Sequence, residues 1–143
     1  MNLVNKLAQF LGYHNNDVII GTSIKSTSGI EGLMEFMITE YKRCFVIKAN
    51  GRIDSASAQE VEKRLMDLTG TEKSIIIDMQ GVDFVSSAGW WAIIRVQKEL
   101  KNAHKADLIL VNLQENVRDS MDLIGILPYF TIYDELIDAV ASI

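Results

Sequence analysis

The 143-residue chain holds one cysteine, one proline and two histidines, and it contains no apolar run near the ~20 residues that a membrane span needs. Each scarcity excludes something. A single Cys44 cannot form an internal disulfide framework or a Cys-rich zinc site, and its place inside the apolar run 44–49 marks it as a buried, inert thiol. His14 and His104 share no metal-ligand spacing with each other or with Cys44, so neither a metal nor a cofactor is expected. The 14 Lys and Arg form no run and are outnumbered by 19 Asp and Glu, for a formal net charge of −5. A nucleic-acid partner is therefore not expected, because phosphate binding wants a clustered positive field. Neither the phosphate-cradling G-x-x-x-x-G-K-S/T nor G-x-G-x-x-G occurs. The N-terminus lacks a basic stretch followed by an uninterrupted apolar core, so no secretory signal is read, and the expectation is a cytoplasmic protein without direct membrane insertion.

What is present, 48% hydrophobic and 23% charged residues, suits one globular domain with a sizeable core. Its most informative stretch runs from Ser74 to Leu100. Ile75-Ile76-Ile77 is short and β-branched, as a strand buried on both faces would be, and Asp78 ends the run. A polar connector at Gln80-Gly81 leads to Val82–Val85, and Ser86-Ser87-Ala88-Gly89 then precedes a helical pattern, which makes Ser87 the expected N-cap. In that helix Gly89, Ile93, Val96, Leu100 and Ala103 share one face, with Arg95, Lys98 and Asn102 opposite. Trp91 falls on the polar side, either as an exposed interface anchor or as a residue covered by an N-terminal helix.

That N-terminal helix is read from Met1 to His14, where Leu3, Val4, Leu7, Phe10 and Leu11 recur at helical spacing beside one basic residue, Lys6. It would pack on its own domain or on a second copy, as in a homodimer. Asn15 to Leu33 has the composition of turns and linker, with a short edge strand at Val18–Ile20. A β-hairpin follows, Met34–Tyr41 and Cys44–Ala49 around Lys42-Arg43, closed by Asn50-Gly51. Asp54 or Ser55 caps a helix whose stripe is Ala58, Val61, Leu65 and Leu68, stopped by Gly70. Asp107–Val111 reads as an inner strand parallel to Ile75–Ile77, since a helix of crossover length separates them. A third helix, Glu115–Ile124, ends at Gly125; Pro128 prevents continuation; Thr131–Tyr133 is an edge strand; and Asp134 caps a last helix. The order β-β-α-β-α-β-α-β-α gives an α/β fold with a mixed sheet, divided into a helix-and-linker extension over 1–32 and a domain over 33–143. Functional loops are expected at the carboxyl ends of the inner strands.

Three of these stretches together resemble the STAS domain family, the anti-sigma factor antagonists. Gly51-Arg52-Ile53-Asp54 is similar to its G-E-L-D turn. Ile75–Asp78 followed by Gly81–Gly89 is similar to its strand and D-L-S-G-V-x-F-x-D-S-S-G signature, and Leu123–Ile126 to its late S-G-L turn. The resemblance implies a STAS-like mixed sheet with helices packed on it. It also implies phosphorylation at Ser87 by a GHKL-type serine kinase that doubles as the anti-sigma factor, with a PP2C-type phosphatase as counterpart. The implied partner face comprises Asp54, Asp83, Ser86, Ala88, Gly89, Trp90 and Trp91. Ser86 stands where the family has Asp, Ala88 where it has Ser, and Trp90-Trp91 where it has Leu-Gly. Ser86 is thus an alternative modification site. An unmodified signalling scaffold, or an accessory subunit clamping the ATPase of a membrane lipid ABC transport complex, are the alternative functions. Catalysis is not expected: Val85 occupies the position of a nucleophile-elbow glycine before Ser87, no histidine base is placed, and Asp78 and Asp83 suit turns.

Overall fold

Ile75, Ile76 and Ile77 are at most 3% exposed, and they lie at the centre of a five-stranded sheet. Side chains stiff at χ1 and lacking polar atoms suit a strand covered on both faces. The computed structural model describes residues 34–143; the amphipathic helix expected over 1–14 and the strand expected at Val18–Ile20 lie outside the described residues. Strands β1 (Met34–Glu40), β2 (Cys44–Ile53), β3 (Ser74–Val85), β4 (Leu108–Val111) and β5 (Thr131–Tyr133) follow one another across the sheet in chain order. β1 and β2 are antiparallel, and every later pairing is parallel. Helices α1 (Ala58–Thr69), α2 (Ser87–His104), α3 (Glu115–Leu123) and α4 (Leu136–Ala141) provide the crossovers and the C-terminus, with a 3-10 turn at Leu127–Tyr129. The expected element order and the parallel pairing of β3 with β4 are both found.

The sheet is buried on two faces by different helices. On one, Phe36, Ile47, Ile75 and Ile77 meet Val61 and Leu65 of α1, Ile93, Val96 and Leu100 of α2, and Val117 and Met121 of α3. On the other, Val46, Ile76 and Ile109 meet Leu136, Ala139 and Val140 of α4. Each fully buried Leu or Ile contributes roughly 1.5–3 kcal/mol. Cys44 and Tyr41 belong to this second layer, which accounts for the inert thiol expected from sequence.

Two strands outrun their expected ends. β2 continues through Asn50-Gly51 to Ile53, and β3 passes Asp78 and Gln80-Gly81 to reach Val85. Polar residues did not stop them because their hydrogen bonds are met in place. Asp78 is 7% exposed, and its carboxylate accepts the Gln80 N–H at 3.0 Å and the Asn112 Nδ2 at 3.2 Å. Irregularities in the β2–β3 ladder between Lys48 and Asn50 and between Gly51 and Arg52 absorb the mismatch. Gly81 is needed there, since a Cβ would collide with the Asn50 side chain and the Ala49 carbonyl.

Helix ends shift by small amounts. α1 begins at Ala58, because Asp54 spends its carboxylate on the preceding turn, accepting the N–H groups of Ala56 at 3.0 Å and Ser57 at 3.1 Å. α4 begins at Leu136 with Glu135 at its N-cap position, one residue beyond the expected Asp134. Gly125, at φ +77°, closes α3 as expected. Ala103 is exposed, whereas Trp90, Ala92, Ile94 and Gln97 join the buried side of α2. The buried arc widens because the segment before β5 covers it: Gln97 Nε2 donates to the Tyr129 carbonyl at 2.8 Å, and the Trp90 and Phe130 rings lie 5.7 Å apart.

Candidate functional site

The carboxyl ends of β2 and β3 form a rim on which α2 begins. The Ser86 N–H donates to the Ile53 carbonyl at 2.7 Å, so Ser86 and Asp54 stand side by side where the two strands end. Ser86 has extended backbone, φ −76° and ψ 168°, and its Oγ accepts the Gly89 N–H at 3.1 Å. The N-cap is therefore Ser86 and not Ser87, and the cause lies in Gly89. A Cβ there would stand 2.7 Å from Ile53 Cγ2 and 2.9 Å from both the Ile53 carbonyl oxygen and Val85 Cγ1. Only glycine lets the first turn settle this close to the strand ends, and that contact fixes where the helix starts. Ser87 becomes the first helical residue, exposed, at the end of an 18-residue helix where orphan N–H groups concentrate positive potential.

Charge on the rim is acidic. Asp54's carboxyl is held below the usual carboxylate range, first by the Ser57 N–H and further by the Ala56 N–H, the Ser57 hydroxyl and the nearby Arg52, so it is ionised at neutral pH. Asp83 is exposed, and its carbonyl accepts the Asn116 Nδ2 at 2.7 Å, which ties α3 to the rim.

Beside Ser87 opens a cleft of about 340 Å³ lined by Phe84, Ser86, Ser87, Trp90, Ser120 and Ile124. A second hollow of about 300 Å³ is lined by Trp91, Ile94, Gln97, Lys98, Ile126 and Tyr129. Around them an apolar band reaches solvent: Trp91 is 56% exposed, Tyr129 70%, Leu123 88% and Ile124 48%. The Arg52 guanidinium lies 4.6 Å from the centre of the Phe84 ring at the edge of this region.

Of the residues expected at a partner face, Asp83, Ser87 and Trp91 are exposed, and Asp54, Ser86 and Ala88 are half-buried. Gly89 and Trp90 are buried instead, Gly89 by its contact with the strand ends and Trp90 by packing on Phe130; both support the cleft from below. Phe84, Leu123, Ile124 and Tyr129 were not anticipated as surface residues. Strand alternation places Phe84 on the same side as the buried Val82, but the ladder irregularity between Gly51 and Arg52 turns it outward. For Leu123 and Ile124 a signal existed: they occupy the last turn before the helix-ending Gly125. Among the described residues no group of three or more His, Cys, Asp or Glu side chains could hold a metal ion. No described helix is long and apolar enough to cross a membrane.

A family model described as the STAS domain matches residues 35–139. The chain belongs to the STAS domain family. Among curated relatives, BtrV of Bordetella bronchiseptica, a candidate anti-sigma factor antagonist, is 29% identical over 83 residues, covering 57% of this chain and 71% of that protein. The structure of an anti-sigma factor antagonist from Mycobacterium paratuberculosis superposes with a TM-score of 0.68 at 18% identity, over 83% of this STAS chain and 97% of that one. Bacillus SpoIIAA in its phosphorylated form gives a TM-score of 0.55 at 21% identity, over 73% of this chain and 98% of that one. At these identities the two structures share the fold.

Proposed function

We propose that this STAS protein is an anti-sigma factor antagonist whose binding to a serine-kinase anti-sigma factor is switched by phosphorylation of Ser87. One observation carries the reading: Ser86 performs the capping, which leaves the adjacent Ser87 exposed at the helix start, on the lip of an apolar cleft. The half-buried Ser86 hydroxyl, already accepting the Gly89 N–H, is the poorer phosphoryl acceptor. The name of BtrV and the existence of SpoIIAA in a phosphorylated form support the same direction.

The switch is electrostatic. Unmodified, the rim offers Phe84, Ile124 and Trp91 as apolar contact area around a neutral hydroxyl. A phosphate adds about −1.5 to −2 charge, which the N–H groups of the first turn of α2 tolerate well. A partner closing over the cleft does not tolerate it, because it would have to desolvate that charge next to the ionised Asp54. Modification thus leaves the fold intact and ejects the partner, and a PP2C-type phosphatase restores the binding form. Asp54, Asp83, Ala88 and Trp91 surround Ser87 as the partner face, with Gly89 and Trp90 beneath it.

The decisive experiment isolates the protein from its native cells with whatever it binds and maps phosphate by mass spectrometry. A GHKL-type kinase in the complex and phosphate on Ser87 are expected. Phosphate on Ser86 alone, or on neither serine, would refute the switch, and capture of a transport ATPase in place of the kinase would refute the antagonist role.

A further inference from the structure

Arg52 is exposed, and its guanidinium rests 4.6 Å from the centre of the Phe84 ring, which forms one wall of the Ser87 cleft. We propose that this guanidinium receives a phosphate on Ser87: on modification it leaves the ring and pairs with the phosphoryl oxygens. The proposal rests on the reading of Ser87 as the modified residue and adds how the modification is registered.

The first argument is position. Arg52 and Phe84 stand opposite one another in the β2–β3 ladder, and one step further the Ser86 N–H donates to the Ile53 carbonyl at 2.7 Å. Arg52 and Ser87 are thus each one residue removed from the same short hydrogen bond. With ~3.8 Å between successive α-carbons and ~4.8 Å between strands, their α-carbons are at most roughly 13 Å apart. A long arginine side chain and a phosphoseryl group close that gap between them.

The second argument is availability. Among the described residues Arg52 forms no ion pair. Asp54 does not hold it: that carboxylate accepts the Ser57 and Ala56 N–H groups, and the charge of Arg52 is the smallest of the influences on it. Two basic residues of α2 do not compete. Arg95 is clamped on Glu62 at 2.6 and 2.9 Å, and Lys98 lies eleven residues (98 − 87), or ~16 Å, along the helix from Ser87. An aromatic ring holds an exposed guanidinium weakly, whereas a phosphate offers two oxygens to its forked donors in a charge-assisted pair.

The third argument is in the sequence. Arg52 stands where the G-E-L-D turn has Glu, and Ser86 where the D-S-S-G signature has Asp. Both replacements remove a carboxylate from beside Ser87, and one of them supplies a cation. That single positive charge does not cancel the phosphate's −1.5 to −2 or so, and with Asp54 and Asp83 present the rim stays acidic. What changes is the surface: Phe84 is left bare, and the guanidinium moves from the ring to the phosphate. A partner therefore meets an altered shape as well as an added charge.

The test uses the full chain with phosphoserine installed at position 87 during translation, so that no kinase is needed. Phosphorus NMR follows the second ionisation of the phosphate, ordinarily near pH ~6. Arg52 lowers that pKa while Asp54 and Asp83 raise it, so Arg52→Gln should raise it by about 1, Arg52→Lys by less and Arg52→Glu by more. In a nitrogen-15-labelled chain the Arg52 Nε–H resonance should move downfield on modification, as the group leaves the ring face for a phosphate oxygen. A phosphate pKa equal in the parent and Arg52→Gln, or an unmoved Arg52 resonance, overturns the proposal. Contact present while protein from native cells carries no phosphate on Ser87 keeps the Arg52 pairing and sinks the proposed function; phosphate on Ser87 in native cells with no effect of Arg52 does the reverse.

Discussion

The Ser86 hydroxyl oxygen and the Gly89 N–H are joined at 3.1 Å across the first turn of α2, and this bond separates the structural serine from the one left exposed beside it. The geometry is possible only because Gly89 brings no side chain between the helix and the ends of β2 and β3. One glycine thereby decides which of two neighbouring hydroxyls faces solvent.

Gly89→Ala should destabilise the domain by about 1–3 kcal/mol, the usual cost of forcing an added methyl into packed surroundings. Two of its three closest neighbours would be the Ile53 carbonyl oxygen and a side chain on the same strand residue, neither free to swing away. Urea unfolding at constant slope is the measurement. A midpoint equal to that of the parent would show that the helix can slide outward without loss.

The fold was legible in sequence because each inner element has a distinctive pattern: the isoleucine run of β3, the four apolar residues of β4, and the apolar stripes of α1 and α2. What the pattern hid was the geometry of the rim. Asp78 and Gly81 read as punctuation, yet they lie inside β3 because Asn112 and the Gln80 N–H satisfy the carboxylate and because Gly81 makes room for Asn50. Those are contacts between residues distant in sequence, which no local period encodes. The same limit explains the one-residue error in the N-cap. Either serine could supply a capping oxygen, and the choice depends on how closely Gly89 approaches Ile53, a residue 36 positions earlier (89 − 53). Phe84 was missed for a related reason, since the ladder irregularity breaks the alternation that would have turned it inward.

Cys44 should not react with a thiol reagent while the chain is folded. Burial pushes its pKa up to about 11, with nearby Lys73 offsetting only part of the effect, and the residue has no solvent exposure. The thiolate that such reagents need is therefore scarce as well as shielded. In 8 M urea one equivalent should react at once. Rapid modification of the native protein at neutral pH would show that the second core layer opens far more often than its packing suggests.

Residues 1–32 are proposed as an appendage to a domain that starts near Leu33. A chain beginning at Leu33 should unfold cooperatively and keep the secondary structure of the parent, because among the described residues both faces of the sheet are already covered by helices. A truncated chain that fails to fold cooperatively would mean that the first 32 residues complete the core.

Substitutions at the paired serines separate stability from binding. Ser86→Ala removes the oxygen that accepts the Gly89 N–H and should cost about 1 kcal/mol of stability. Ser87→Ala removes no cap, so stability should change by no more than ~0.5 kcal/mol, and binding to the kinase partner should become constitutive. Ser87→Asp places a carboxylate in the first turn, where the helix dipole favours negative charge by ~0.3–1 kcal/mol, while the same charge beside Asp54 should weaken partner binding. Stability and affinity are thus expected to move in opposite directions at Ser87 and to be decoupled at Ser86. A carboxylate carries roughly half the charge of a phosphate, so kinase-treated protein should lose more affinity than the Asp variant. Calorimetric titration of the partner into all four proteins, with thermal unfolding of the same samples, reads both quantities. Equal affinity across the set would remove Ser87 from the switch. A loss of stability at Ser87→Ala as large as at Ser86→Ala would instead show that both hydroxyls hold the helix start, and that neither is spare for modification.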